Sequence, residues 1–454
     1  MADLVIERAT ILPMGERMAI LPNHHLVIRD GNIQQLGEGP APENAIPAGA
    51  RRIDAAGRLA MPGLINTHTH SYQTLLRGAF DNLSLLPWLR KVYGAGAVLQ
   101  PEDCLISAQL AALELVRSGV TTVCDHHFTN QSVNHPAATT EGLLSAGLRV
   151  VVARTVMDGG EVVPSALVET ADRAFRETDI LMQRFSTRSL PPGRLSFMTG
   201  PNTPPVSSSP NLCSACREYA DHRGIGISSH IAEACGVLDL AREKYGAGGV
   251  VELVHRHGLT GEGSVFAHAV HVSPYEIRLL AETGTSVAHN PVSNMLLGDG
   301  VAPVSEMLAA GVTVGLGTDG AASNHTQDMF QVMKFASLLQ RVHHLDAQII
   351  TPYQVIRMAT YGGARTLGLE RFCGTLENGK RGDVIIVDLS SHPRNVGTHN
   401  VVNQIVHVAQ SADVTHTIVD GEVLMSERHV VSLDEQDVLN KADVAAKELI
   451  RRIQ

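Results

Sequence analysis

The chain has 454 residues, 44% of them hydrophobic, so it can bury a large core that aliphatic side chains mostly fill. Its net charge of −10 and the lack of a basic block argue against nucleic acid or an anionic membrane surface as a partner. No apolar run reaches the ~18 residues that cross a bilayer, and the N-terminus lacks a signal-peptide pattern. We therefore expect a cytoplasmic protein with a small-molecule ligand.

The two ends of the chain have the alternating apolar and polar pattern of antiparallel strands. In the N-terminal flank, residues 1–58, the turn at residues 30–32 lies between apolar runs and indicates a hairpin. A similar pattern returns in the C-terminal flank, residues 373–454, which ends in a segment with helical spacing from Asp434. Each flank is too small for a core of its own, so we predict one small β-sandwich built from both termini.

Residues 59–372 have a different pattern, in which short apolar runs alternate with helical segments such as residues 104–118 and 274–283. The runs are rich in Val, Ile, Ala and Gly, which suits parallel strands covered on both faces. They lie at residues 60–66, 120–124, 148–156, 195–199, 226–229, 264–267, 285–288 and 312–317. Eight strands alternating with helices predict an α/β fold with a closed (β/α)8 TIM barrel.

Histidine and acidic side chains follow several of these runs. His68 and His70 end the first run, His230 follows the fifth, His268 the sixth and Asp319 the eighth. Residues i and i+2 of a strand point to the same side, so His68 and His70 can face one metal ion. The carboxyl ends of barrel strands form the mouth of the active site, so we expect all these side chains to converge there.

Three imidazoles and one carboxylate suit a borderline metal ion. The predicted ligands of one Zn²⁺ ion, with Fe²⁺ as the alternative, are His68, His70, His230 and Asp319. We further predict that Asp319 accepts a proton from the attacking water. Glu233, about one helical turn beyond His230, is the predicted proton shuttle. His268 is placed to donate to an oxygen that develops negative charge.

These motifs, together with residues 288–294, 314–324 and 374–383, resemble the amidohydrolase superfamily along nearly the whole chain. Within it they are similar to the aminohydrolase branch, which contains nucleobase and nucleoside deaminases and s-triazine hydrolases. The resemblance implies a distorted (β/α)8 barrel, a two-part β-sandwich, and one zinc or iron ion on the four ligands above. The fourth strand ends at Asn202, without the lysine that bridges two metals in other branches, which favours a mononuclear site.

The resemblance also bears on the substrate. Deaminases of adenosine-type nucleosides, such as those acting on S-adenosylhomocysteine, hold the ribose with a histidine and a glutamate, where this chain has Asn202 and Ala97. We therefore expect an amino-substituted free heterocycle of purine, pterin or s-triazine type, as in 8-oxoguanine deaminase and hydroxyatrazine hydrolase. The predicted substrate contacts are Gln73, Trp88, Asn202 and Ser323.

Several alternatives stay open at this point. A nucleoside deaminase, a triazine dechlorinase and a cyclic-amide hydrolase would use the same metal chemistry, so the leaving group is ammonia, an alkylamine or chloride. The sequence assigns no role to His126, His127 or His289. Related enzymes are often homo-oligomers, but these residues do not define an interface.

Overall fold

The computed structural model describes residues 3–397 and 399–454. Its strands are β1 (Leu4–Ile11), β2 (Leu21–Arg29), β3 (Asn32–Glu38), β4 (Arg51–Asp54), β5 (Leu59–Pro62), β6 (Leu64–Thr69), β7 (Val120–His127), β8 (Arg149–Val156), β9 (Leu195–Pro201), β10 (Gly226–Ile231), β11 (Ser264–His268), β12 (Ser286–His289), β13 (Val314–Leu316), β14 (Val384–Val387), β15 (Val414–Val419), β16 (Glu422–Ser426) and β17 (His429–Val430).

The α-helices in the same residues are α1 (Leu85–Gly96), α2 (Pro101–Arg117), α3 (Asn134–Ser145), α4 (Ala171–Ser186), α5 (Pro210–Arg223), α6 (Cys235–Tyr245), α7 (Val250–Arg256), α8 (Pro274–Thr283), α9 (Pro291–Leu296), α10 (Val304–Ala309), α11 (Met329–His344), α12 (Pro352–Arg357), α13 (Gly363–Thr366), α14 (Val401–His407) and α15 (Glu435–Ile453). None of these helices has the length and apolar content that a membrane crossing requires.

Strands β6 to β13 form a parallel sheet in chain order that curves into a barrel. The first and last strands meet where the Thr67 hydroxyl donates to the Leu316 carbonyl at 2.9 Å and the Asp319 amide donates to the His68 carbonyl at 3.0 Å. Each of the eight predicted runs contributes a strand, so the prediction of a (β/α)8 barrel is confirmed.

Local capping signals set the helix boundaries. Helix α8 spans the predicted residues 274–283, because the Ser273 hydroxyl and the Glu276 carboxylate cap its first turn and Gly284, at φ 72°, ends it. Helix α2 begins at Pro101, three residues before the predicted start. A capping box formed by Gln100 and Asp103 accounts for this earlier start.

A mixed sheet from both ends of the chain packs beside the barrel. Its order is β17-β16-β15-β14-β5-β1-β2-β3, with β4 paired to β1, so the two termini meet in one sheet through the antiparallel pair β5 and β14. This confirms the predicted β-rich unit built from both termini. The division of the chain at residues 58 and 372 stays a prediction.

The first apolar run serves both units. It divides at Gly63, with β5 in the terminal sheet and β6 in the barrel. A Cβ atom at Gly63 would lie 2.1 Å from the Thr121 side chain, so only glycine fits where the chain passes from one sheet to the other.

A buried ionic cluster ties the barrel to the terminal sheet. Arg149 on β8 is fully buried and donates to Asp383 at 2.9 and 3.0 Å and to Asp420 at 2.8 Å. Asp420, in the turn between β15 and β16, also accepts from Arg194 at 2.6 Å and from Arg381. Because buried charges are tolerated only when they are paired, this cluster fixes how the two units pack.

Candidate active site

The predicted metal-binding and catalytic side chains converge at the carboxyl ends of the barrel strands. They come from four different strands or the loops that follow them, and each is at most 6% exposed. They are His68, His70, His230, Glu233, His268 and Asp319. At this depth water cannot satisfy their polar atoms, so those atoms need partners within the site.

The distances between the donor atoms match those around a tetrahedral metal ion. The Asp319 Oδ1 atom lies 3.1 Å from His70 Nε2 and 3.4 Å from His68 Nε2, and His70 Nε2 lies 3.2 Å from His230 Nε2. Zinc bonds of about 2.0–2.1 Å place neighbouring tetrahedral donors about 3.3 Å apart. His268 also offers a ring nitrogen within 4.8 Å of donor atoms on His68, His230 and Asp319.

Backbone carbonyls set the tautomers of two of these histidines. His70 Nδ1 donates to the His126 carbonyl at 2.6 Å, and His230 Nδ1 donates to the Asn202 carbonyl at 2.9 Å. Each ring therefore presents a lone pair at Nε2, and these two lone pairs face each other at 3.2 Å. A cation between them accounts for a contact that two acceptors alone would not make.

Two further atoms of the cluster also indicate a bound cation. His68 Nε2 and Asp319 Oδ1 are buried and have no hydrogen-bond partner among the described residues. Burial lowers the pKa of His68 to about 4 and that of His230 well below its usual value, so both rings are neutral at pH 7. Neutral imidazoles around a carboxylate are the donor set of a divalent metal ion.

Two serines orient the Asp319 carboxylate. Its Oδ2 atom accepts from Ser293 Oγ at 2.6 Å and from Ser323 Oγ at 2.7 Å, which turns Oδ1 towards the histidines. Both hydroxyls donate to the carboxylate and so favour its ionised form. The carboxylate is therefore ionised and fixed in direction.

Glu233 and His268 form a second pair beside the cluster. Glu233 Oε1 lies 3.5 Å from His268 Nε2, and His268 Nδ1 donates to Asn294 Oδ1 at 2.8 Å. Burial, followed by the charges of Asp299 and Asp319, raises the pKa of Glu233 well above its usual value. The pair thus combines a carboxyl group whose raised pKa favours its protonated form with a neutral imidazole.

The backbone around Glu233 differs from the predicted helical turn. Glu233 lies in the loop between β10 and α6, because Ala232 adopts a left-handed conformation with φ 52°. The side chain nevertheless comes to the site, 4% exposed.

The four predicted substrate contacts lie in different surroundings. The Asn202 amide donates to the Tyr93 hydroxyl at 2.9 Å, and its oxygen accepts from His126 Nε2 at 3.0 Å. The Trp88 ring packs in the core, and its Nε1 donates a hydrogen bond to the Ala322 carbonyl at 3.3 Å. Ser323 bonds Asp319, as described above. Their roles in substrate binding stay predictions.

Gln73 is the predicted contact with a free polar group. Its side chain is fully buried, and neither amide atom has a hydrogen-bond partner among the described residues. It packs so closely on the turn after Asp319 that a Cβ atom on Gly320 would come within 1.8 Å of its Oε1 atom. An unpartnered buried amide at this position is suited to forming hydrogen bonds with the polar atoms at the edge of a substrate ring.

The structure gives His126 a role that the sequence did not. Its carbonyl accepts from His70, and its ring bonds Asn202 and, at 2.9 Å, Ser228 Oγ, so both ring nitrogens are occupied. His127 bonds Thr129 Oγ1 at 3.2 Å. Neither ring nitrogen of His289 has a partner in the described part of the chain, and burial lowers the pKa of His289 to about 3.

The fold and this site define a metal-dependent hydrolase built on a (β/α)8 barrel. The amidohydrolase family model matches residues 59–424, and the chain belongs to this family. The predictions of the family, of the barrel and of a hydrolase acting on carbon–nitrogen bonds are confirmed.

Two relatives match over nearly their full length. The chain is 37% identical to a 5'-deoxyadenosine deaminase of Methanosarcina acetivorans, over 100% of this chain and 99% of the relative. It is 34% identical to a 5-methylthioadenosine/S-adenosylhomocysteine deaminase of Syntrophomonas wolfei, over 98% of this chain and 99% of the relative.

Solved structures share the same architecture. An adenosine deaminase from Xanthomonas campestris with bound zinc superposes with a TM-score of 0.90 at 28% identity, over 99% of each chain. A zinc complex of an atrazine chlorohydrolase from Arthrobacter aurescens gives a TM-score of 0.90 at 25% identity, over 98% of this chain and 100% of the other.

Proposed function

We propose that this protein is a zinc-dependent deaminase that replaces the exocyclic amino group of a purine-type ring by oxygen and releases ammonia. The observation that carries the proposal is the cluster of buried donors described above, which faces a carboxyl–imidazole pair. The zinc complexes of the adenosine deaminase and the atrazine chlorohydrolase support the choice of metal.

The proposed ligands of the zinc ion are His68, His70, His230 and Asp319. When bound, the ion lowers the pKa of a coordinated water molecule towards about 7, which supplies a nucleophile at neutral pH. Fe²⁺ would suit the same donors and is the alternative.

Three side chains move or hold protons in this proposal. Glu233 gives its proton to the ring nitrogen next to the attacked carbon and regains one from the water. Asp319 takes the remaining hydroxyl proton and passes it to the amino group, so that ammonia leaves as the carbonyl forms. His268, held by Asn294 through Nδ1, stabilises the oxygen on the attacked carbon when its Nε2 also carries a proton. One water is consumed, its oxygen stays on the ring, and one ammonia is released.

The 5'-deoxyadenosine and methylthioadenosine deaminases that match the whole chain support an adenine nucleoside without a 5'-phosphate as the substrate. The free heterocycle expected from the sequence is the second candidate. It is favoured by Asn202, whose amide nitrogen donates to Tyr93 and Ser207 and whose oxygen accepts from His126 and Thr155, so that the side chain offers no spare group to a ribose. Location in the cytoplasm and assembly into a homo-oligomer stay predictions.

The test measures ammonia release by zinc-loaded protein. The nucleosides are 5'-deoxyadenosine, methylthioadenosine, S-adenosylhomocysteine and adenosine, and the free rings are adenine, guanine, 8-oxoguanine, isoxanthopterin and melamine. Turnover of a nucleoside would support the first candidate, and turnover of free rings only would support the second. No ammonia from any compound, with zinc bound, would refute deamination. Chloride release from a chlorotriazine, or opening of a cyclic amide, would then identify the activity.

A further inference from the structure

A third carboxyl group lies beside the site with no role in the scheme above. Asp299 is in the loop after α9 and is only 6% exposed. Its Oδ2 atom is buried and has no hydrogen-bond partner within the described residues. A buried carboxyl oxygen without a partner costs stability, so its presence in a native protein calls for an explanation, of which a functional role is one.

The backbone holds Asp299 firmly in place. Its amide donates to the Asn294 carbonyl at 2.9 Å, and its carbonyl accepts from His271 Nε2 at 2.7 Å. Gly300, at φ 124°, turns the chain tightly against Val270, where a Cβ atom would approach to 3.2 Å. Asp299 is therefore tied to Asn294, the residue that holds His268, and to the loop that follows β11.

Asp299 lies close to the carboxyl–imidazole pair, since its amide bonds Asn294, which in turn holds His268. Its charge is the largest influence on Glu233 after burial, and the charge of Asp319 acts on both. Asp319 faces the metal ligands and Glu233 contacts His268, whereas Oδ2 of Asp299 makes neither kind of contact. A heterocycle bound beside Glu233 and His268 would supply the partner that this oxygen lacks.

We propose that Asp299 is a specificity residue that hydrogen-bonds to a ring nitrogen of the substrate other than the nitrogen that Glu233 protonates. In a purine these are N3 and N7. The inference rests on the proposed function, because it assumes that the ring occupies this site. Burial, followed by the charge of Asp319, raises the pKa of Asp299 to about 8, so its carboxyl can donate a hydrogen bond to an unprotonated ring nitrogen at neutral pH.

The test uses the deamination product, which is not turned over. Affinities of zinc-loaded protein for inosine and for its 3-deaza and 7-deaza analogues are measured by calorimetry. We expect one analogue, in which C–H replaces the contacted nitrogen, to bind at least 10-fold more weakly than inosine. In the variant Asp299→Leu that difference disappears, whereas Asp299→Asn, which still has a donor, retains it.

The control is Glu161→Gln, which removes an exposed carboxylate from the loop after β8 and is expected to change no affinity. Zinc content and thermal unfolding of each variant show whether it is folded and loaded. If folded Asp299→Leu keeps the full discrimination, or loses affinity for all three ligands equally, the inference is wrong although deamination stands. If the parent protein binds no purine and releases no ammonia, both proposals fail.

Discussion

Replacing Glu233 by glutamine removes the proposed proton carrier while keeping the shape of the side chain. Burial and the charges of Asp299 and Asp319 raise the pKa of the carboxyl, which suits it to carry a proton, and an amide cannot give up and regain a proton in its place. General acid–base catalysis contributes about 10²- to 10⁴-fold, so we expect kcat to fall by that factor, about 3–5 kcal/mol in barrier height.

The metal site should be unaffected, because Glu233 contacts His268 at 3.5 Å and none of the four proposed ligands at hydrogen-bond distance. The assay measures initial rates of ammonia release on the best substrate, with zinc content by elemental analysis. Glu161→Gln is the matched control and should keep the parent rate. If Glu233→Gln retains a third or more of the parent kcat with zinc bound, the assignment of the proton carrier is wrong.

Three further predictions concern the surroundings of the site and the fold. Ser293→Ala removes one of the two hydroxyls that orient Asp319, and should weaken zinc binding about 10- to 100-fold in a chelator competition. Arg149→Met leaves Asp383 and Asp420 with fewer cationic partners, and should lower the free energy of unfolding by about 3–5 kcal/mol in urea titrations. A loss below 1 kcal/mol would contradict this role of the ionic cluster. Burial acts to raise the pKa of Asp420, but its arginine partners hold it below the unfolded value of about 3.9. The ionised Asp420 carboxylate therefore contributes fully to the free energy of unfolding above a pH of about 3.9. This contribution should be lost as the pH falls further, as unfolding titrations from pH 6 to 3 would show.

The barrel and the main site residues could be predicted from the sequence for a simple physical reason. Parallel strands covered on both faces need uninterrupted aliphatic runs, and the polar residue that follows each run must lie at the mouth. His68, His230 and Asp319 each follow such a run, so their convergence needed no knowledge of tertiary contacts.

The other features of the site could not be predicted, because they depend on tertiary contacts that no local sequence pattern encodes. Glu233 reaches the site through a left-handed Ala232, although alanine gives no signal for that conformation. Ser293 and Asp299 lie in one segment after β12, where serine and aspartate are also ordinary turn residues. The hydrogen bond between the Asn202 amide and the Tyr93 hydroxyl joins residues more than 100 positions apart.

The central claim is that one zinc ion on this cluster supports deamination. The most direct measurement strips the protein with a chelator, restores one equivalent of Zn²⁺ per chain, and follows ammonia release from 5'-deoxyadenosine and adenine. The account predicts no turnover in the stripped protein and recovery of turnover of at least one of these substrates at one zinc per chain. Equal turnover with and without bound metal, or no ammonia from either compound at full zinc occupancy, would contradict it.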